Sequence, residues 1–285
     1  METIRLIKSM YPCQDVPIID FGHGCKKPCL YCGLNGREFA SDKVLASGMD
    51  DIIKNIDLGI CKGFYLSPTS DCFSPENAKM SHELLERAWF TKEDIVPLVI
   101  TKQKIPDKTI ELLIKNKHHL VLQISVPDID EELVKILEPG SALVTERLAN
   151  IKTLTENGVK VIAVIMPWFN LSSINGLGLA LGVNGVKRAI IATAVMNNEA
   201  RMRMRDSENT QISVRAKWLK DGEGNFLTFT KEYRTIMLKK AIHKLDWYNI
   251  KTVVCTSDNH DLDVGELPLC TQFKHPFFGN LEREL

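Results

Sequence analysis

Two patterns of apolar residues alternate along the chain: short apolar runs, typical of strands, and apolar residues spaced three and four apart, typical of helices. Their order predicts strands that are each followed by a helix. Short apolar runs rich in β-branched residues predict six strands, at Val16–Phe21, Gly63–Ser67, Ile95–Thr101, His119–Val126, Val159–Met166 and Val186–Thr193. Apolar residues spaced three and four apart predict helices at Met49–Ile56, Met80–Trp89, Asp107–Lys115 and Ala142–Asn157. Such an alternation indicates right-handed βαβ units and a parallel sheet.

Six units of this kind predict an α/β fold, a partial (β/α)6 TIM-like barrel, over residues 1–197. The alternation weakens after that point, because Asn198–Gly224 is polar and charged with few periodic signals. A further helix is predicted at Thr230–Leu245 and a seventh strand at Lys251–Cys255. We therefore expect a C-terminal α+β extension over residues 198–285, which closes the open side of the barrel or forms a substrate surface.

The composition narrows the class of protein. Hydrophobic residues make up 44% and charged residues 25% of the 285 positions, which is typical of a chain that buries a full core. No apolar stretch is long enough to span a bilayer and the N-terminus shows no signal-peptide pattern, so we predict a cytoplasmic protein without a membrane partner. The formal net charge of zero argues against a dedicated nucleic-acid binder.

One segment carries a local excess of positive charge in spite of the net charge of zero. Six basic residues cluster within about twenty positions, namely Arg201, Arg203, Arg205, Arg215, Lys217 and Lys220. The cluster fits a binding surface for phosphates, and it fits a solvated loop or helix face equally well.

Three of the eight cysteines form the most specific motif of the chain. Cys25, Cys29 and Cys32 stand as C-x3-C-x2-C within FGHGCKKPCLYCGLNG, directly after the first predicted strand. Three thiolates on one short loop suit a four-iron cluster, and without a fourth cysteine at matching spacing one iron stays open to a small molecule. The alternative is a zinc site, but zinc ribbons and knuckles use a second Cys or His pair downstream, which this sequence lacks.

The motif resembles that of the radical S-adenosylmethionine (SAM) enzymes, in which the amine and carboxylate of SAM chelate the open iron of a [4Fe-4S] cluster. Tyr31, just before the third cysteine, matches an aromatic residue that lies near the adenine in that family. Four later segments are similar, in order, to the spore photoproduct lyase group: YLSPTSD, VITK, LQISVP and LEPGSALVTERLANI. The resemblance covers about residues 16–170 and implies the same barrel, with chemistry at the carboxyl ends of its strands.

Residue by residue, the resemblance implies roles on the SAM side. Ser70 and Lys102 match positions that hold the SAM carboxylate, and Ser125 matches a serine that contacts the ribose. Arg147 matches the arginine of the EPG helix, where it binds the cofactor or forms a structural salt bridge.

The substrate side departs from that family. Pro68 stands where the photoproduct lyases carry a thiol before TSD, Gly33 stands where they have a tyrosine, and Pro127 replaces their ribose-side asparagine. Candidate hydrogen-atom donors are instead Cys72, Cys255 and Cys270, because a thiol S–H bond is weak enough to quench a carbon radical. Each is alternatively a small buried apolar residue.

The resemblance implies that the reduced cluster passes an electron to SAM, and that the resulting 5′-deoxyadenosyl radical takes a hydrogen atom from the substrate. A flavodoxin or ferredoxin would serve as reductant. We expect a peptide substrate, as in natural-product tailoring through C–C or C–H chemistry, with a separate recognition protein. The alternatives are a nucleic-acid or nucleotide lesion lyase and a non-enzymatic iron–sulfur or zinc sensor.

Overall fold

The computed structural model describes residues 4–7, 17–21, 25, 27–32, 44–67, 70–169, 173–209, 212, 220–221, 227–255 and 267. Its strands are β1 Arg5–Ile7, β2 Ile18–Asp20, β3 Val44–Ser47, β4 Gly63–Leu66, β5 Val96–Thr101, β6 Val121–Ser125, β7 Val161–Trp168, β8 Arg188–Thr193, β9 Val195–Met196, β10 Lys220–Asp221, β11 Leu227–Thr228 and β12 Lys251–Val254. Its helices are α1 Met49–Asp57, α2 Ala78–Thr91, α3 Asp107–Lys115, α4 Glu131–Leu137, α5 Val144–Glu156, α6 Ile174–Val183, α7 Asn198–Arg205 and α8 Lys231–Asp246.

A nine-stranded sheet with the order β12-β8-β7-β6-β5-β4-β2-β1-β3 forms the centre of the molecule. All neighbours from β2 through β12 pair in parallel, whereas β1 pairs antiparallel with both β2 and β3. The end strands β12 and β3 are not hydrogen-bonded to each other in the described part of the chain, so the sheet stays open. The predicted α/β class and the parallel alternation are confirmed.

Each of the seven predicted parallel strands is present, and the seventh, β12, extends the sheet beside β8. The predicted helices are also present, within a few residues of their expected ends. The division of the chain at residue 197 stays a prediction. Within the described ranges, none of the helices has both the length and the apolar character that crossing a bilayer requires.

Several elements go beyond the prediction. The antiparallel strands β1 and β3, the helices α4, α6 and α7, and a small antiparallel sheet of β9, β10 and β11 were not expected. Side-chain caps explain two of these helices, because Asp130 accepts a hydrogen bond from Leu133 N before α4, and Asn197 accepts one from Ala200 N before α7.

Two apolar clusters matter for the site. The main core fills the space between the parallel sheet and its helices, with residues such as Phe64, Leu122 and Ile165 fully buried. A second, smaller cluster lies around α4 and α7 and includes Leu137 and Met204. The helix α7 packs in this second cluster, whereas α8 and β12 pack in the main core.

Candidate cofactor site

The cysteine motif lies on the loop after β2, and its neighbours come from the carboxyl ends of adjacent parallel strands. Cys29 is buried, while Cys25 and Cys32 are partly exposed. The motif loop is fixed to the end of α4, because Leu30 N donates a 2.9 Å hydrogen bond to Leu137 O. The position agrees with the rule that places barrel chemistry at this end of the strands.

A second tie links the motif loop to the EPG segment. Lys27 Nζ donates to the carbonyl of Gly140, a residue with φ +73° that favours glycine. Gln103 Nε2 donates to the same carbonyl over 3.3 Å. The Lys27 ammonium is therefore directed to this carbonyl.

Asp71 of the TSD segment connects the ends of β4 and β5. Its buried carboxylate accepts hydrogen bonds from Thr101 Oγ1 and Lys102 N, both at 2.7 Å, and from Phe73 N at 3.0 Å. Burial raises the pKa of Asp71 in spite of these hydrogen bonds. The carboxylate thus fixes the backbone from which the Lys102 side chain extends.

Ser70 belongs to a buried hydroxyl network in the same segment. Its Oγ lies 2.6 Å from Ser67 Oγ and 3.2 Å from Asn77 Nδ2, which donates to it. Ser67 has φ +48°, a left-handed conformation that is uncommon for serine. The expected contact of Ser70 with the SAM carboxylate stays a prediction, while Pro68 lies outside the described residues.

The ammonium of Lys102 stands at the point where three elements converge. Its Nζ lies 2.8 Å from Tyr31 OH, 3.2 Å from Glu138 Oε1 and 3.6 Å from Cys29 Sγ. Tyr31 OH also donates to Glu138 Oε1. Lys102 therefore brings a cation to the buried cysteine of the motif.

Glu138 and Arg147 form a completely buried ion pair beside this lysine. Arg147 Nη1 lies 2.6 Å from Glu138 Oε2, and both side chains are inaccessible to solvent. Arg147 also donates to Ser125 O and Ala142 O, each at 3.0 Å. Arg147 therefore contributes the structural salt bridge that was one of its two predicted roles, and it ties the end of β6 to the EPG segment.

The charges shift one another's pKa values. Burial by itself raises the pKa of Glu138, but the cations Lys102 and Arg147 outweigh it and hold this pKa below its usual value. Burial likewise disfavours the charged form of Lys102, yet Glu138 and Tyr31 raise its pKa well above normal. Burial raises the pKa of Tyr31 well above normal, and the charge of Glu138 adds to the effect. A charged Glu138–Lys102 pair with a neutral phenol follows.

The buried cysteine of the motif shows two opposing influences. Burial raises the pKa of Cys29, Lys102 lowers it, and the neighbouring charges of Glu138, Cys32 and Cys25 raise it again. The electrostatic coupling among the three cysteines shows that they share one neighbourhood. Within the described ranges, no three metal-binding side chains already converge as ligands of one ion.

The donor set nevertheless fits an iron–sulfur cluster. Three sulfur donors on one loop, one of them beside an ammonium, match the ligands that iron–sulfur chemistry requires. Lys102 offsets part of the burial that raises the pKa of Cys29.

An apolar surface lies on the other side of the motif loop. A small pocket there is lined by Pro127, Asp128, Leu133, Leu137, Pro167, Phe169, Met204 and Ile212. Leu30 and Tyr31 pack against the same cluster. Tyr31 therefore has its hydroxyl among charged groups and its ring against apolar side chains.

The cysteines proposed as hydrogen-atom donors differ in their exposure to solvent. Cys72 is fully buried in the main core, where its Sγ donates to Ile100 O over 3.3 Å and burial raises its pKa well above normal. Cys255 is partly exposed at the carboxyl end of β12, and its backbone N donates to Ile191 O. Cys270 lies outside the described residues, and the donor roles stay predictions.

Sequence reasoning did not single out two residues of this site. Glu138 was not predicted as a site residue, although it stands in the EPG segment. A glutamate directly before Pro-Gly at the end of a helix is the sequence feature that could have indicated it. Arg203 was grouped with a basic surface, yet its Nη2 donates to Cys32 O over 2.5 Å. No local pattern connects two residues that lie so far apart in sequence.

No family model matches the chain. It is 24% identical over 168 residues to an uncharacterized protein of Acidianus two-tailed virus, an alignment that covers 53% of this chain and 55% of that protein. It is 27% identical over 154 residues to an uncharacterized protein of Methanocaldococcus jannaschii, covering 50% and 57% respectively. The chain thus spans little more than half the length of these curated relatives.

Solved structures give the clearer likeness. A spore photoproduct lyase variant with bound AdoMet and dinucleoside spore photoproduct superposes with a TM-score of 0.64 at 15% identity, covering 87% of this chain and 78% of that one. Streptococcus suis SuiB bound to S-adenosylmethionine gives a TM-score of 0.56 at 17% identity, covering 83% and 49%. Both are radical SAM enzymes. At these identities the likeness is one of fold, and the fold of this chain is similar to that of spore photoproduct lyase and of SuiB.

Proposed function

We propose that this chain is a radical SAM enzyme that removes a hydrogen atom from a carbon of its substrate. The observation that carries the proposal is the position of Lys102 Nζ, 3.6 Å from the motif sulfur of Cys29 and within an ion pair with Glu138. A cation held beside a cluster cysteine is suited to a ligand carboxylate at that cluster.

Cys25, Cys29 and Cys32 would hold the [4Fe-4S] cluster. A bound cluster would supply the chemistry of reductive SAM cleavage, with its electron coming from a flavodoxin- or ferredoxin-type reductant. Lys102 and Ser70 would hold the SAM carboxylate.

On the nucleoside side, Ser125 would contact the ribose, and Tyr31 would lie near the adenine against the apolar pocket. Arg147 keeps the end of β6, and with it Ser125, in place through its hydrogen bond to Ser125 O. The apolar side chains of the pocket would exclude water and stray hydrogen donors from the reacting carbon.

A peptide is the substrate class that we propose first, with a separate protein to present it. The net charge of zero, and the replacement of the thiol by Pro68 and of the tyrosine by Gly33, support a substrate other than DNA. The contact of the Arg203 side chain with Cys32 O adds support, because it engages one of the basic residues that could otherwise bind phosphates. Cys72 and Cys255 stay the proposed hydrogen-atom donors.

A nucleotide substrate is the second candidate. It is favoured by one observation, the similarity in fold to a spore photoproduct lyase that was solved with a dinucleoside photoproduct bound. The experiment below distinguishes the two candidates.

The test begins with anaerobic reconstitution with iron and sulfide, reduction with dithionite, and mass spectrometry for 5′-deoxyadenosine in the presence of SAM. We expect the product from the wild-type chain and none from Cys29→Ala. Lys102→Met should bind SAM about 10–100-fold more weakly, as expected for loss of a charge-assisted hydrogen bond. Lys104→Met is the matched control, because Lys104 is exposed on the same loop and should bind SAM like wild type.

Incubation in deuterated solvent with peptide and oligonucleotide libraries then identifies the substrate. Deuterium in a peptide supports the first candidate, and deuterium in a nucleotide supports the second. If the fully loaded, reduced cluster neither binds nor cleaves SAM, the enzyme proposal is wrong and a non-enzymatic sensor takes its place.

A further inference from the structure

The helix α7 lies against the motif loop although it comes from the segment after residue 197. Ala200 and Met204 are fully buried in the second apolar cluster, against which Leu30 and Tyr31 pack. Residues three and four apart share one face of a helix, so Arg203 lies beside Ala200 at the edge of this buried face. The helix thus places the guanidinium of Arg203 beside the cysteine motif.

Arg203 makes a specific contact there. Its Nη2 donates a 2.5 Å hydrogen bond to the backbone carbonyl of Cys32, the third cysteine of the motif. Its Nε is buried and has no hydrogen-bond partner among the described residues, where Arg203 also has no ion-pair partner. A positive charge without a described counter-charge therefore stands against the loop that carries three thiols.

The surroundings of Arg203 differ from those of its neighbours on the same helix. Arg205 is exposed and pairs with Asp206 at 3.4 Å, which is an ordinary surface arrangement. Met202 is likewise exposed on the outer face. A partly buried guanidinium that reaches a motif carbonyl is not explained by solvation of the helix.

We propose that Arg203 is a positioning residue for the iron–sulfur cluster. It holds the peptide of Cys32 through the carbonyl oxygen, and it places a fixed positive charge that offsets the negative charge of the thiolates. The inference rests on the proposed function, since it assumes that the motif binds a cluster. It assigns part of the C-terminal segment to the cofactor site. Groups that orient metal ligands from outside the ligand shell tune both affinity and potential.

The experiment compares Arg203→Met with Arg205→Met, since both remove an arginine from α7 but only one removes the contact with Cys32. Each reconstituted protein is challenged with an iron chelator, and its midpoint potential is measured by redox titration followed by electron paramagnetic resonance. For Arg203→Met we expect cluster retention about 10-fold weaker than wild type. Its midpoint potential should become more negative, because a nearby positive charge stabilises the reduced, more negative cluster. Arg205→Met should match wild type in both.

A third variant separates charge from structure. Arg203→Lys keeps the charge, so its potential should stay near wild type even if cluster retention falls. Circular dichroism checks that each variant is folded. If folded Arg203→Met retains its cluster and potential like Arg205→Met, the inference is wrong. If Arg203→Lys shifts the potential as far as Arg203→Met does, the charge has no part in it.

Failure of the proposed function looks different. A wild-type chain that holds a four-iron cluster but does not cleave SAM contradicts the enzyme proposal, while cluster retention and potential still decide the role of Arg203. A wild-type chain that takes up zinc and no iron–sulfur cluster overturns both.

Discussion

The motif loop has an ionic side and an apolar side, and they are built in different ways. The ionic side consists of Lys102, Glu138 and Arg147, and the apolar side consists of Leu133, Leu137, Phe169, Met204 and Ile212. Tyr31 belongs to both, with its hydroxyl on the ionic side and its ring on the apolar side. Tyr31 therefore contacts both sides of the loop.

Different elements of the fold hold the side chains of the two sides in place. On the ionic side Lys102 directly follows β5, Glu138 follows α4 and Arg147 lies on α5. The strands β5 and β6 are fixed by parallel pairing. The apolar side depends partly on α7, which is held by a side-chain cap and by burial of apolar side chains. Ion pairs therefore dominate one side of the loop and apolar packing the other.

The largest expected effect comes from removing the carboxylate of the ionic side. Glu138→Ala leaves Lys102 and Arg147 close together without their common anion, so the free energy of unfolding should fall by about 3–5 kcal/mol. Urea unfolding of the apoprotein measures this change. The control is Glu132→Ala, since the Glu132 side chain is 79% exposed and its pair with Lys135 should contribute at most about 1 kcal/mol. Equal losses in both variants would contradict the buried ion network.

A smaller loss is expected on the apolar side. Met204→Ala removes a fully buried side chain and should lower the free energy of unfolding by about 2–3 kcal/mol through lost burial and a residual cavity. Met202→Ala on the same helix is the matched control, because Met202 is 54% exposed and its removal should leave stability within about 0.5 kcal/mol. If the two variants unfold alike, α7 does not pack against the barrel as described.

A thiol outside the motif loop shows how burial changes a cysteine pKa where Lys102 is not a neighbour. Cys61 is buried in the main core, where its Sγ lies 2.8 Å from Gly63 O, and burial raises its pKa from 9.0 to about 11. A raised folded-state pKa contributes stability that is present below pH 9.0 and is lost as pH rises through about 11.

The wild-type chain should therefore lose about 2–3 kcal/mol relative to Cys61→Ala over that interval and nothing near neutral pH. Urea unfolding of both chains at several pH values measures the difference, in which other titrating groups cancel. A difference that stays constant with pH would show that Cys61 titrates normally in the folded protein.

Much of the fold was predictable because its signals are local. The strand periodicity of segments such as Val186–Thr193 and the helical periodicity of Asp107–Lys115 reside in adjacent residues, and β8 and α3 have those bounds within two residues. The helix α6 was missed for an equally physical reason. Its apolar, glycine-rich sequence has no helical periodicity, and Gly178 is needed because a Cβ there would approach the Tyr248 ring to 2.5 Å.

The cysteine spacing and the order of the TSD, VITK and EPG segments determined, by themselves, the kind of chemistry expected and the end of the barrel where it belongs. Tertiary structure alone decided the partners. Lys102 meets Glu138 across 36 residues, and Arg203 meets Cys32 across 171. Spacing along the chain encodes a motif within one loop, whereas contacts at such separations are set by the register of the parallel sheet and the packing of α7. Those contacts surround the motif with charge on one side and apolar side chains on the other.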